Sequence, residues 1–105
     1  MARETEKKFF VRKIINGNDV VVAVCEEELL GAVLVDGRGR RFYVDPAFYS
    51  GERKSLREAL EELRNASIGN IVGNTIVERA IAEGLVHEDA VMTIGEVRIA
   101  QFVNL

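Results

Sequence analysis

The chain has 105 residues, of which 48% are hydrophobic and 30% are charged. That is enough for one compact domain spanning residues 1–105 and leaves no room for a second. Its formal net charge of −3 argues against a bulk electrostatic grip on nucleic acid, and we expect no binding of duplex DNA.

The N-terminal residues and the apolar runs predict the cellular compartment, and the cysteine content excludes some kinds of site. Residues 1–8 are charged along their length, so we expect a loosely ordered segment and no signal peptide. No stretch approaches the roughly 20 apolar residues of a membrane span, which predicts a cytoplasmic protein without membrane contact. One Cys and one His cannot build a four-ligand Cys/His zinc site or an internal disulfide, and we predict no metal and no cofactor.

The first half of the chain predicts two hairpins. The stretches FFVRKII (9–15) and VVVAVC (20–25) flank Asn16-Gly17, a pair that tolerates the positive φ of a tight turn. EEELLG then predicts one helical turn closed by Gly31. AVLVD and RRFYVD flank the glycines of a second turn, and Pro46 ends the second of these strands.

The clearest helix is SLREALEELRNA. Ser55 and Glu58 have the spacing of a capping box. One apolar stripe follows at helical spacing and comprises Leu56, Ala59, Leu60 and Leu63. Near the C-terminal end, AVMTI and VRIAQFV predict two strands around Gly95-Glu96. The pattern predicts a single α+β domain with a largely antiparallel sheet of about six strands and two main helices.

The stretch SIGNIVGNTIVERAIAEGL (67–85) contains two Gly-Asn pairs. It lacks the Gly-Lys-Ser/Thr ending of a phosphate loop and the three glycines of a dinucleotide fingerprint. In one interpretation Thr75 and Glu78 cap a short helix and residues 67–73 are a loop. In the other, which we favour, one helix runs from about Ile68 to Glu83 and stops at Gly84.

The two glycines of such a helix would allow a close approach. Either these glycines pack against the rest of the fold, or a protein partner docks on them as an exposed ledge. In the second case the protein is an adaptor for protein–protein interaction, which is the alternative function. The ledge consists of Gly69, Asn70, Gly73 and Asn74.

The blocks AVCEEELLG, FYVDPAFYSGE, NIVGNTIVERAIAEGLV and IGEVRIAQFV together resemble the small archaeal proteins classed as domain of unknown function 424. The resemblance covers about residues 9–103. It implies an archaeal cytosolic protein with a loose association with translation or RNA, and it supplies no mechanism. Glu26 stands where the family pattern has Asp, and Arg98-Ile99 where it has Pro-His. The residues of this chain that match the family pattern are Cys25, Leu30, Gly31, Phe48, Tyr49, Gly51, Asn70, Gly73, Ala80, Gly84 and Gln101.

The segment 38–57 concentrates positive charge in an acidic chain, with six basic residues against two acidic ones. Phe48 and Tyr49 add ring faces among the guanidinium groups, a combination that suits looped or single-stranded RNA. The leading hypothesis is therefore a non-catalytic protein that binds RNA or a ribonucleoprotein. The predicted contact residues are Arg38, Arg40, Arg41, Tyr49, Arg53 and Lys54.

An enzyme is the third hypothesis and depends on Cys25. A helical turn after it could lower the pKa of the thiol, whereas the glutamates at 26–28 disfavour a thiolate. The only candidate base, His87, lies in a polar connection, so we lean against catalysis and assign no catalytic residue.

Overall fold

The computed structural model describes residues 7–104. The expected N-terminal segment lies outside the described residues over 1–6, and the first strand begins at Lys8. The strands are β1 (Lys8–Asn16), β2 (Asp19–Glu26), β3 (Val33–Val35), β4 (Arg41–Tyr43), β5 (Glu52–Ser55), β6 (Ile68–Val72), β7 (Met92–Ile94) and β8 (Val97–Val103). The α-helices are α1 (Pro46–Tyr49), α2 (Leu56–Arg64) and α3 (Asn74–Ala82), and 3-10 turns span Glu27–Leu29 and Glu88–Ala90.

Six strands form the main sheet in the order β5-β1-β2-β6-β8-β7. Every neighbouring pair is antiparallel except β2 and β6, which run parallel. Helix α2 lies in the connection between these two parallel strands, as a crossover requires. The predicted α+β class, with a six-stranded and mostly antiparallel sheet, is confirmed.

Both predicted hairpins are present. Gly17, with φ of 64°, closes the turn between β1 and β2, whose partners run from Phe9–Glu26 to Asn16–Asp19. Strands β3 and β4 pair with each other in a separate two-stranded sheet. Pro46 does not end β4 directly; it begins α1, where the Asp45 side chain accepts a hydrogen bond from the amide of Ala47.

The main sheet separates two buried clusters. Helices α2 and α3 cover one face through Leu60, Leu63 and Ile76, which pack with Phe9 and Phe102 of the sheet. The β3–β4 hairpin and α1 cover the second cluster, which lies on the other face of the sheet. It contains Ala23, Cys25, Val44, Tyr49, Val72, Ile94 and Ile99.

Both interpretations of residues 67–84 are wrong in part. Residues 68–72 are neither helix nor loop but β6, a central strand, and α3 begins only at Asn74. Its N-cap is Gly73 and carries no side-chain capping bond, so Thr75 does not cap it. The isoleucines and valines of this stretch fit a helical stripe, but β2 and β8 bind both edges of residues 68–72 and hold them extended.

The helix α2 confirms the prediction made from its capping box. The Ser55 hydroxyl accepts a hydrogen bond from the amide of Glu58, whose carboxylate accepts one from the amide of Ser55. Strand β5, just before it, was not predicted because its sequence ERKS is charged, as is common on a sheet edge. Within residues 7–104, the helices are all too short or too polar to cross a membrane.

Candidate functional site

A groove of about 850 Å³ lies between α2 and α3 and combines four cationic side chains with one carboxylate. Leu56 contributes apolar surface, and Ser55 and Thr75 contribute hydroxyls. The charged residues that line it are Lys7, Arg57, Arg64, Arg79 and Glu83. We call this surface the α2–α3 groove.

The helices position its arginines. Arg57 and Arg64 are seven residues apart on α2, about two turns, so they project from one side of the helix. Arg79 lies on α3, which packs beside α2. Among residues 7–104 neither Arg57 nor Arg79 forms an ion pair, and both are exposed. Within the described part of the chain, an anion that binds these two guanidinium groups displaces no ion pair.

The other two cations are already engaged within the protein. Arg64 pairs with Glu83 across the groove. Lys7 lies 2.8 Å from the Glu28 carboxylate and 3.2 Å from that of Glu26. Its hydrogen bond to Glu28, with a weaker one to Glu26, raises the pKa of Lys7 and keeps it protonated.

The N-terminus of α3 is occupied by Glu26, whose side chain is buried. One of its carboxylate oxygens accepts hydrogen bonds from the amides of Thr75, at 2.6 Å, and Ile76, at 3.1 Å. These amides would otherwise attract an anion to the helix terminus. An anion in the α2–α3 groove would therefore be bound by side chains of the lining and not by these amides.

The predicted RNA contacts do not form one surface. Arg53 and Lys54 lie on β5, at one edge of the main sheet. Arg40 lies after the β3–β4 turn, and its guanidinium donates a hydrogen bond to the carbonyl of Thr93 on β7, at the other edge. Five strand spacings separate the edges, about 24 Å. Arg38 and Arg41 belong to the same hairpin as Arg40.

Three of these basic side chains also have acidic neighbours of their own. Arg40 pairs with Asp36, Arg53 with Glu27 and Lys54 with Glu52. These exposed pairs contribute little stability, but they reduce the positive charge that the segment offers to a ligand.

Tyr49 is not placed to stack on a base. Its ring is buried in the cluster beneath the hairpin and contacts Phe48 edge to face, with ring centroids 4.9 Å apart. Burial raises the pKa of Tyr49 to about 12. Tyr49 is a core residue, so the prediction that its ring contacts RNA is wrong.

The Gly-Asn pairs do not share a helix face. Gly69 is buried beneath Phe102, its partner on β8, and Gly73 is buried against Glu26. Asn74 is exposed, but its side chain accepts a hydrogen bond from the amide of Arg98 and donates one to the carbonyl of Glu96. Of the two asparagines, Asn70 is half-buried on β6 and has no side-chain hydrogen bond within residues 7–104.

Cys25 and His87 are in different environments. Cys25 is fully buried beneath the hairpin, and burial, with Glu26 and Glu28 adding to it, raises the pKa of its thiol to about 12. His87 is exposed in the connection after α3, where its Nδ1 accepts a hydrogen bond from the amide of Asp89. A buried, protonated thiol is a poor nucleophile.

Arg57 belongs to the basic segment 38–57 but is not one of the predicted RNA contacts. Lys7, Arg64 and Arg79 were not predicted as ligands either. Arg57 and Arg79 are 22 positions apart and strand β6 lies between them in the chain, so their proximity depends on tertiary structure. The only sequence signal is that arginines occur on the polar faces of both helices.

Comparisons with known proteins give a family and a fold. A model of the family described as "Protein of unknown function (DUF424)" matches residues 14–105. The crystal structure of an uncharacterized conserved protein from Methanopyrus kandleri is 26% identical, with a TM-score of 0.74 and 90% of each chain covered. No curated protein matches the sequence.

Proposed function

This chain belongs to the family described as "Protein of unknown function (DUF424)", as the sequence resemblance predicted, and we propose that it is a non-catalytic binding protein for single-stranded RNA. The α2–α3 groove is the proposed contact surface. The observation that carries the proposal is that Arg57 and Arg79, both exposed and without an ion pair within residues 7–104, line the same groove.

The charge of the groove differs in sign from that of the whole chain. The protein carries a formal net charge of −3, so most of its surface does not attract polyanions. The local excess of cations therefore favours an anionic ligand that binds within this groove. Arginine suits a phosphate because its planar guanidinium offers two parallel donors to the phosphate oxygens. Among the cations of the groove, Arg57 and Arg79 are the two that have no ion pair within residues 7–104.

The shape favours a single strand. A groove between two short helices accepts a flexible backbone, with Leu56 providing apolar surface beneath unpaired bases. The acidic remainder of the surface disfavours a duplex that extends beyond the groove. As part of the same proposal, the protein works in the cytoplasm in association with RNA or ribonucleoproteins of translation.

The state of Cys25 supports the non-catalytic part of the proposal. A thiol with a pKa of about 12 is protonated at neutral pH and lies beneath the hairpin, away from solvent. A cysteine enzyme needs an accessible thiolate with a base beside it.

The proposal is tested by titrating labelled single-stranded RNA with the protein. We expect the variant Arg57→Ala/Arg79→Ala to bind more weakly than the wild type. The matched control is Arg38→Ala/Arg41→Ala, which removes the same charge at the opposite edge of the sheet and should bind almost normally. Absence of binding at low salt, or an equal loss in both variants, would refute the groove as the site.

A further inference from the structure

Among residues 7–104, nothing covers half of one face of the main sheet. The β3–β4 hairpin and α1 pack over Cys25, Val72 and Ile99. Side chains alternate along a strand, so residues two and four positions away share this face. Those beyond the hairpin belong to neither buried cluster and are half-buried or exposed.

Four of these side chains form a straight apolar row. Ile14 of β1 pairs with Val21 of β2, Val21 pairs with Ile68 of β6, and Ile68 pairs with Val103 of β8. Val103 is 60% exposed. The row crosses four adjacent strands, so it is one continuous apolar surface rather than a scatter of single side chains. We call it the apolar row.

Polar side chains lie on both sides of the apolar row, with a positive charge on one side and a negative charge on the other. Arg12, Asn70 and Gln101 lie on the side nearer the hairpin, two residues along β1, β6 and β8. Asn16 and its partner Asp19 lie on the other side. Within residues 7–104 neither Arg12 nor Asp19 has an ion pair.

We propose that a second copy of this chain packs on this face, with a two-fold axis along the apolar row. The rotation reverses the strand direction, so each apolar row meets the same row of the other copy. It also brings Arg12 over the Asn16–Asp19 pair of the second copy. Stacked sheets lie about 10 Å apart, which an arginine and an aspartate can bridge.

The shape of the face is complementary to itself as well. The β3–β4 hairpin is a second layer on one half of the sheet, so the molecule has a step beside the apolar row. After the two-fold rotation the step of each copy lies beyond the sheet end of the other, and the main sheets can stack at normal spacing. Each surface then contacts its own equivalent, as a closed two-fold dimer requires.

The β3–β4 hairpin supplies interface area in addition to that of the apolar row. A stable interface buries about 800 Å² on each partner, more than four aliphatic side chains provide. Contact between each hairpin and the sheet end of the other copy enlarges the interface, and the charges near its rim set the register.

Analytical ultracentrifugation of the full chain from micromolar to millimolar concentration tests the proposal. We expect a dimer for the wild type and a monomer for Val103→Asp. The matched control is Ile15→Asp, since Ile15 is 64% exposed and its side chain lies on the opposite face of the sheet from Ile14, and this variant should remain a dimer. Circular dichroism verifies that both variants are folded.

A charge exchange tests the register of the proposed pair. We expect Arg12→Asp and Asp19→Arg each to raise the dimer dissociation constant about tenfold or more. The double variant should recover most of the affinity. Asp19 also accepts a hydrogen bond from the Ser67 hydroxyl of its own chain, and its replacement could weaken the dimer by disturbing this contact. Recovery in the double variant would show that the loss comes from the pair between the two copies. A monomeric wild type, or a dimer unaffected by Val103→Asp, would overturn the proposal.

Discussion

The Glu26 side chain fills the space in which a side chain at position 73 would lie. A Cβ built on Gly73 would be 2.4 Å from the Cδ of Glu26, far inside van der Waals contact. Gly73 also has a φ of 128°, which side-chain-bearing residues rarely adopt. The glycine thus permits the turn from β6 into α3 and leaves room for the carboxylate that binds the first amides of the helix.

Gly73→Ala is expected to lower the free energy of unfolding by about 2–4 kcal/mol, because strained backbone and overpacking both contribute. Gly84→Ala is the matched control: Gly84 also has a positive φ, of 75°, but open space around its Cβ position. It should cost about 1 kcal/mol. Urea unfolding of the three proteins measures the difference, and equal losses would show that contact with Glu26 is unimportant.

Leu60→Ala is expected to cost about 2–5 kcal/mol, since Leu60 is buried in the cluster between α2 and the sheet. The control, Leu56→Ala, removes the same atoms from the same helix at a half-buried position and should cost less. Thermal melts followed by circular dichroism compare the two. A larger loss for Leu56 would contradict the orientation of α2.

The Cys25 thiol should react slowly with a neutral alkylating reagent at neutral pH. It is buried, and its pKa of about 12 leaves almost no thiolate. Mass spectrometry of samples quenched over time gives the rate, and the same protein in urea provides the accessible reference. Native protein that reacts as fast as unfolded protein would restore Cys25 as a candidate nucleophile.

The same thiol makes stability depend on alkaline pH. Its pKa rises from 9.0 in the unfolded chain to about 12 in the fold, so the folded state keeps a proton that the unfolded state loses between these values. Stability is fully present below pH 9 and falls above it. Between about pH 8 and about pH 10.5 the loss from Cys25 should be about 2 kcal/mol.

Comparison with Cys25→Ala isolates this effect from the titration of other groups. The variant should lose about 2 kcal/mol less than the wild type over the same pH interval. Urea unfolding at both pH values gives the four free energies needed. Identical pH dependence in the two proteins would refute the contribution of the thiol.

The proposed RNA contact predicts a defined salt dependence. For single strands the logarithm of the binding constant changes with that of salt concentration by about −0.7 per phosphate contacted. Removing Arg57 and Arg79 should therefore make the slope shallower by about 1.4. Arg38→Ala/Arg41→Ala should leave it nearly unchanged. Fluorescence anisotropy at several salt concentrations provides the slopes, and duplex DNA serves as a weak-binding reference.

Local signals predicted the parts of the fold that depend on neighbouring residues. Asn16-Gly17 indicated the first hairpin, and Ser55 with Glu58 indicated the start of α2. Strand β6 could not be identified this way, because Ile68, Ile71 and Val72 fit a helical stripe as well as a strand. Its extended form depends on β2 and β8, which lie far away in the chain.

The candidate site depends even more on contacts between parts of the chain that local sequence signals do not connect. Arg40 and Arg53 are close in sequence, yet the chain crosses the whole sheet between them, so a charge cluster in sequence is divided in space. Arg57 and Arg79 are distant in sequence and meet across one groove. Sequence spacing predicts proximity within one helix or hairpin, and here both sets of residues span several elements.

The parallel pairing of β2 and β6 has a consequence for how the chain reaches its fold. Partners such as Val21 and Ile68 are 47 residues apart, as are Val24 and Ile71. The β1–β2 hairpin can form within microseconds of its synthesis, but one edge of β2 then stays unpaired while dozens of further residues leave the ribosome. Closing so long a loop precedes any stabilisation from the pairing, which makes this step slow. In the interval the unpaired N–H and C=O groups along the free edge of β2 can pair with strands of other nascent chains, so this stage of folding favours aggregation most.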